Sequence, residues 1–170
     1  MKVLAVLFAF TAFLAHASAS LTPLFERHTV PQGWVKAARA EPSAKVHFHV
    51  AIQQQNLDVL EKIFWEVSDP EHDNYLNFMT KDEILSLVAP KPEHRQTVIS
   101  WLHEHGVKEF SDFVDSIEGW TIAATAEKMF GTEFFEFRNM ETGKKVIKAF
   151  GQVAIDSEVH DAIDSVMSIS

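Results

Sequence analysis

Lys45-Val46-His47-Phe48-His49-Val50-Ala51-Ile52 runs with a period of two. Val46, Phe48, Val50 and Ile52 fall on one side, and Lys45, His47 and His49 on the other. Successive side chains of an extended chain point to opposite faces, so this pattern predicts a half-buried strand with one polar face left over. A strand of this kind needs helices on its apolar side, and the sequence supplies them on the C-terminal side.

Asn56 is placed to cap a helix whose apolar stripe is Leu57, Leu60, Ile63, Phe64 and Val67, stopped at Asp69-Pro70. Thr80-Lys81-Asp82-Glu83 is a capping box that opens a second helix through Ile84, Leu85, Leu87 and Val88 to Pro90. A third has Pro92 in its first turn, carries Val98, Ile99, Trp101 and Leu102, and stops at Gly106. Short strands follow near residues 107–114 and 116–120. Thr121 then caps a helix bearing Ile122, Ala126, Met129 and Phe130, ended by Gly131. Residues 133–138 and 144–150 read as a hairpin around Glu141-Thr142-Gly143, and Val159, Ala162, Ile163 and Val166 as a last short helix. Upstream, residues 20–29 read as an irregular N-terminal arm and Val30-Pro31-Gln32-Gly33-Trp34 as a turn around an aromatic anchor. With the extra helices set aside the order is β-α-β-β-α-β. The expected class is α+β: a ferredoxin-like antiparallel sheet with helices on one face and a C-terminal hairpin.

The composition fits one globular domain. Hydrophobic residues make up 46% of the 170 and charged residues 23%, and 14 Phe and 4 Trp provide core material. Residues 1–19 are set apart from the fold. Lys2, the apolar run from Val3 to Ala15 and Ala17-Ser18-Ala19 read as a secretory signal peptide, too short to be a membrane span. Its removal takes away Lys2 and no acid, so the net charge goes from −9 to −10. So acidic a chain lacks the basic footprint of a nucleic-acid binder, and no membrane association is expected once the signal is gone. The chain has no cysteine, so a secreted form relies on its core alone. The destination is the exterior or an endo-lysosomal or vacuolar compartment.

Enzyme chemistry is not visible. There is no thiol nucleophile, Gly-x-Ser-x-Gly elbow, His-Glu-x-x-His motif or phosphate-binding glycine loop. No cofactor and no metal are expected. His47 and His49 share a strand face and could grip a metal, but spacing identifies no third ligand, and a solvated or partner-binding face is the favoured reading. His103 and His105, two apart on a helix, do not face each other. Eight histidines remain after residue 19, each able to change charge between neutral and acidic compartments.

Several of these turns and caps belong to a pattern. Val30-Pro31-x-Gly33-Trp34 with Arg39-Ala40-Glu41-Pro42, the strand leading into Gln53-Gln54-Gln55-Asn56, and Ser68-Asp69-Pro70 with Tyr75 and Thr80–Ile84 resemble the pro-domains of sedolisin (kumamolisin-like) serine-carboxyl peptidases. The tripeptidyl-peptidase type is the most similar. Val88-Ala89-Pro90, Trp101-Leu102, Gly106, Trp120, Ala126-Glu127, Val146-Ile147-Lys148 and Ile163–Val166 continue the match over about residues 30–166. Gly33, Trp34, Ser68, Asp69, Pro70, Tyr75, Trp101 and Lys148 stand at its motif positions. Departures are His72-Asp73 for the usual Ser-Pro, Leu76 for a Gly, Phe78 for a Tyr, and Asp156 for a Pro. The peptidase motifs Glu-x-x-x-Asp and Ser-Gly-Thr-Ser are absent.

The resemblance implies an activation domain over residues 30–170 without enzymatic activity. It implies a protein partner, a sedolisin-like serine peptidase, held inactive or helped to fold in trans, with release at acid pH. Pro-domains of this family press one sheet face on the enzyme, which here would be the face of Lys45, His47 and His49. The alternatives are a secreted interaction protein that kept the fold without the partner, and a fragment of a longer precursor.

Overall fold

The structure, a computed structural model, describes residues 20–169; the signal-peptide reading of residues 1–19 lies outside the described residues. In chain order the elements are β1 (Leu21–Arg27), β2 (Trp34–Arg39), β3 (Lys45–Ile52), α1 (Leu57–Ser68), α2 (Lys81–Val88), α3 (Pro92–Glu104) and β4 (Phe110–Asp112). There follow β5 (Ser116–Ile122), α4 (Ala123–Met129), β6 (Glu133–Asn139), β7 (Lys145–Asp156), α5 (Ser157–His160) and β8 (Ile163–Met167). The class is the expected α+β. Its strands form two four-stranded antiparallel sheets, β4-β5-β3-β8 and β1-β7-β6-β2.

The first sheet has the order of a split β-α-β, with β3 and β5 in the centre. Alternation along β3 sends Val46, Phe48, Val50 and Ile52 into the core, each at most 2% exposed. Against them lie Val98, Trp101 and Leu102 of α3 and Ala123, Ala126 and Met129 of α4. Local chemistry sets the helix ends. Thr80 accepts from the Glu83 amide while the Glu83 carboxylate accepts from the Thr80 amide at 2.7 Å, closing the capping box of α2. Gly106 stops α3 at φ 76, a left-handed conformation that glycine takes without penalty.

The fourth strand of this sheet is not the hairpin. Ile163–Met167, expected to be helical, is β8 and pairs with β3, and α5 is limited to four residues. The spacing of Val159, Ala162, Ile163 and Val166 fits a helix, but those positions are divided between a short turn and a strand. The hairpin β6–β7 instead founds the second sheet. β7 pairs with β6 up to Phe150 and with β1 from Gly151 onward. So Leu21–Arg27 is an edge strand and not an irregular arm; Pro23 sits there beside a register shift, as edge strands allow. Trp34–Arg39, beyond the expected turn, is the opposite edge. The sheets meet where the Ala149 amide donates to the Ile169 carbonyl at 2.7 Å.

Two caps differ from expectation. Asn56 precedes α1 in a left-handed conformation (φ 55), and its side chain donates to the Leu87 carbonyl at 2.9 Å instead of capping α1. Thr121 belongs to β5, and α4 starts without a side-chain cap. The stripe of α1 is also less covered than its spacing suggests: only Val67 is buried, whereas Leu57 and Phe64 are exposed.

Candidate protein-docking face

Among the described residues no helix covers the side of the first sheet away from α3 and α4. Register decides what it shows, because directly opposed residues in an antiparallel pair share a face. Lys45 lies opposite Ile122, His47 opposite Trp120, and His49 opposite Glu118 on one side and Met167 on the other. The face predicted from β3 to be polar is therefore mixed. Trp120 is 54% exposed, and Ile122 and Met167 are exposed beside it. A tryptophan displayed at the centre of a sheet face is the feature to explain, since exposed aromatic surface rimmed by polar groups marks sites of association.

The polar groups around it are organised. The His47 ring lies over Trp120 with centroids 4.6 Å apart and planes at 31°. Its Nε2 is 2.6 Å from Glu118 Oε1. Imidazole, indole and carboxylate thus form one cluster across β3 and β5, with His49 one step along the same face. Among the described residues no group of three ligating side chains could hold a metal ion. His47 is engaged with Glu118 in any case. At one edge the face opens into a groove of about 460 Å³ bordered by Lys45, His47, Trp120, Val146, Lys148 and Ser168.

Lys148 marks the boundary with the second sheet. Its ammonium donates to the Ser168 carbonyl at 2.7 Å and is held below the usual lysine range, first by burial and then by the neighbouring Arg27 cation.

The other motif positions lie elsewhere. Gly33, at φ 80, shapes the turn into β2, where the Trp34 amide donates to the Pro31 carbonyl at 3.1 Å. Ser68 bonds back to the Phe64 carbonyl, and the Asp69 side chain accepts from the Glu71 amide at 2.9 Å, so Ser68-Asp69-Pro70 ends α1. Tyr75 is exposed in the loop beyond. Leu76, where the resembled pro-domains have glycine, keeps the left-handed backbone (φ 62) and donates to the Val67 carbonyl at 3.0 Å. Trp101 is 4% exposed in the core, its indole N–H donating 2.8 Å to Asp156. The structure brings together Lys45, His47 and His49, with Lys148 at the rim, and separates the rest by function in the fold.

Sequence reasoning missed Trp120, Glu118, Ile122 and Met167 as members of this face. A signal for the first three existed: with Ile117 and Gly119 directed inward, the intervening positions of β5 must point out.

Comparison with known proteins gives the family. The family model described as "Pro-kumamolisin, activation domain" matches residues 32–170. Tripeptidyl-peptidase SED4 of Arthroderma otae is 31% identical over 136 residues, covering 79% of this chain and 23% of that protein. Aorsin of Aspergillus oryzae is 31% identical over 158 residues, 90% of this chain and 24% of its own. Tripeptidyl-peptidase 1 of Pan troglodytes is 30% identical over 127 residues, 73% and 23% respectively. The chain spans about a quarter of the length of these curated relatives, over their pro-domain region. With the family model running through all but the first strand of a two-sheet α+β body, this chain belongs to the activation-domain family of the sedolisin-type (kumamolisin-like) peptidases.

Proposed function

We propose that this protein acts in trans, as inhibitor or folding chaperone of a sedolisin-like serine peptidase in the secretory pathway, and lets go of it on acidification. One observation carries the reading: an uncovered sheet face with Trp120 displayed at its centre, backed by His47 and Glu118 and flanked by Ile122 and Met167. A specific contact on such a face buries about 1,600 Å² in total, and a central tryptophan is the residue type that dominates such contacts.

The histidines give the contact its pH response. Burying neutral imidazoles under a partner is inexpensive, whereas burying imidazolium is costly. Once the imidazoles charge, docking would have to desolvate the His47–Glu118 ion pair, 2.6 Å apart, and bury the His49 imidazolium, and both oppose it.

The test is to mix the purified protein with an acid-active sedolisin-type peptidase from the same source, following activity and co-elution at neutral and acidic pH. Inhibition or assisted refolding at neutral pH, weakened in acid, supports the reading; Trp120→Ala should weaken it by about 2 kcal/mol or more. A peptidase that neither binds nor refolds better in its presence would defeat it.

A further inference from the structure

The second sheet carries a concentration of positive charge that this acidic protein leaves unanswered. Arg27 of β1 extends over the Phe137 ring, its guanidinium carbon 5.0 Å from the centroid. Its Nε reaches only the Thr29 carbonyl, at 3.4 Å, and its Nη1 is shut off from solvent without any hydrogen-bond acceptor. Lys148 is beside it, and Lys144 stands on the same cavity, which is walled by Trp34, Phe137 and Val146 and encloses about 190 Å³. Among the described residues none of these three cations has a carboxylate within 4.0 Å, and unlike the surface lysines that also lack one they share a single cavity.

Cations gathered against apolar walls with a donor left unused constitute a cost in the free protein. Lys148 shows that cost, since its ammonium is held low by burial and by Arg27. The charged form is therefore penalised at neutral pH, and the penalty lifts only as pH rises through the lowered value.

We propose that Arg27 and Lys148, with Lys144 at the mouth, form a socket for one carboxylate of the docked partner, an Asp or Glu side chain on the peptidase surface. The proposal rests on the docking reading above and names the chemistry the partner must bring. Three features select this occupant. The cavity holds about six waters' worth of volume, room for one carboxylate side chain. The guanidinium of Arg27, a planar fork of donors on the cavity wall beside the Lys148 ammonium, matches the two oxygens of a carboxylate. Val146 and Lys148 line both this cavity and the groove at the edge of the docking face, so a partner seated over Trp120 can reach both.

The test uses Arg27→Gln and Lys148→Met, with Trp120→Ala as the docking control, in three readouts. In thermal unfolding of the free protein both socket variants should melt at the same temperature as the parent or higher. A fall of several degrees in both makes the cations structural and overturns the socket. In the second readout the Trp34 indole resonance is followed by NMR during titration with N-acetylglutamate amide, N-acetylglutamine amide and inorganic phosphate. Only the glutamate derivative should shift it, and Arg27→Gln should abolish the shift; no shift, or a response to phosphate in its place, overturns the carboxylate assignment. With the peptidase at neutral pH, each socket variant should weaken binding about ten- to a hundredfold, mainly through faster dissociation. If Trp120→Ala weakens binding and the socket variants do not, docking stands and the socket is wrong. If the parent forms no complex, the docking reading fails, and the socket is decided by the glutamate titration alone.

Discussion

Gly119→Ala should unfold this protein more easily, and the structure sets the size of the effect. Gly119 lies at the middle of β5, opposite Phe48 of β3 and Phe110 of β4, with its missing side chain directed into the core. A Cβ there would stand 2.8 Å from Phe48 Cζ, 2.9 Å from the Glu109 carbonyl oxygen and 3.1 Å from Phe110 Cβ. Carbon contacts are comfortable at about 3.5–4.0 Å, so at least two neighbours must retreat by more than half an ångström. Phe48 has no room to do so: it is fully buried and packs on Phe130 with centroids 6.2 Å apart. The Glu109 carbonyl is backbone and accepts from the Trp120 amide. Overpacking of this kind costs about 1–3 kcal/mol, and replacing glycine in a strand returns about 0.5–1. The difference spans about 0–2.5 kcal/mol with a midpoint of about 1, or roughly 2–4 °C in Tm for a chain of this length. Thermal or urea unfolding measures it. An unchanged or raised Tm would show that the sheet and helix layers are not packed as described.

Four further outcomes follow from named contacts. Thr80→Ala removes the hydroxyl half of the α2 capping box, leaving the residue-80 amide to donate to Glu83, and should cost about 1 kcal/mol, seen in urea unfolding at neutral pH. Trp101→Phe removes the indole N–H that the Asp156 carboxylate accepts from and part of the buried ring, and should cost about 1–3 kcal/mol or more in the same assay. Leu76→Gly should stabilise by about 1 kcal/mol, because an exposed leucine at φ 62 is strained and gives up little burial when removed. Combined His47→Gln and His49→Gln should flatten the pH profile of peptidase binding while leaving neutral-pH binding within a fewfold of the parent; an unchanged profile would remove these residues from the response.

What could be read from the sequence was local. The alternation in β3, the Thr80–Glu83 box, and the Pro92 and Gly106 limits of α3 are signals completed within one turn or one strand, and the structure keeps each of them. The second sheet was invisible because its edges are paired at long range. Leu21–Arg27 holds Pro23 and alternates poorly, and becomes a strand only because β7 outruns β6 and offers Gly151–Asp156 as a partner. β8 was mistaken for a helix because a short apolar run carries no decisive period, and tertiary pairing with β3 settled it. The same limit hid the candidate site. His47 and His49 could be placed on a face from their own strand, but Trp120, Glu118 and Met167 join it only through pairing, and Arg27 meets Lys148 only once β1 lies beside β7.

Release at the sheet face and release by unfolding are distinguishable in an acid titration of the complex. Glu83 is held below the usual glutamate range by its hydrogen bonds to the Thr80 backbone and side chain. Its contribution to folding is therefore complete above the ordinary glutamate value and is lost only as pH falls through the lowered one. The cap on α2 thus survives mild acid. Imidazoles change charge at higher pH, between about 5 and 8. In the free protein a charged His47 has the Glu118 carboxylate 2.6 Å away in solvent, a pair that a partner would have to desolvate. A complex that dissociates in mild acid while far-UV circular dichroism stays constant is therefore released at the sheet face. One that persists until helix signal is lost is released by unfolding, and the histidine cluster then has no part in it.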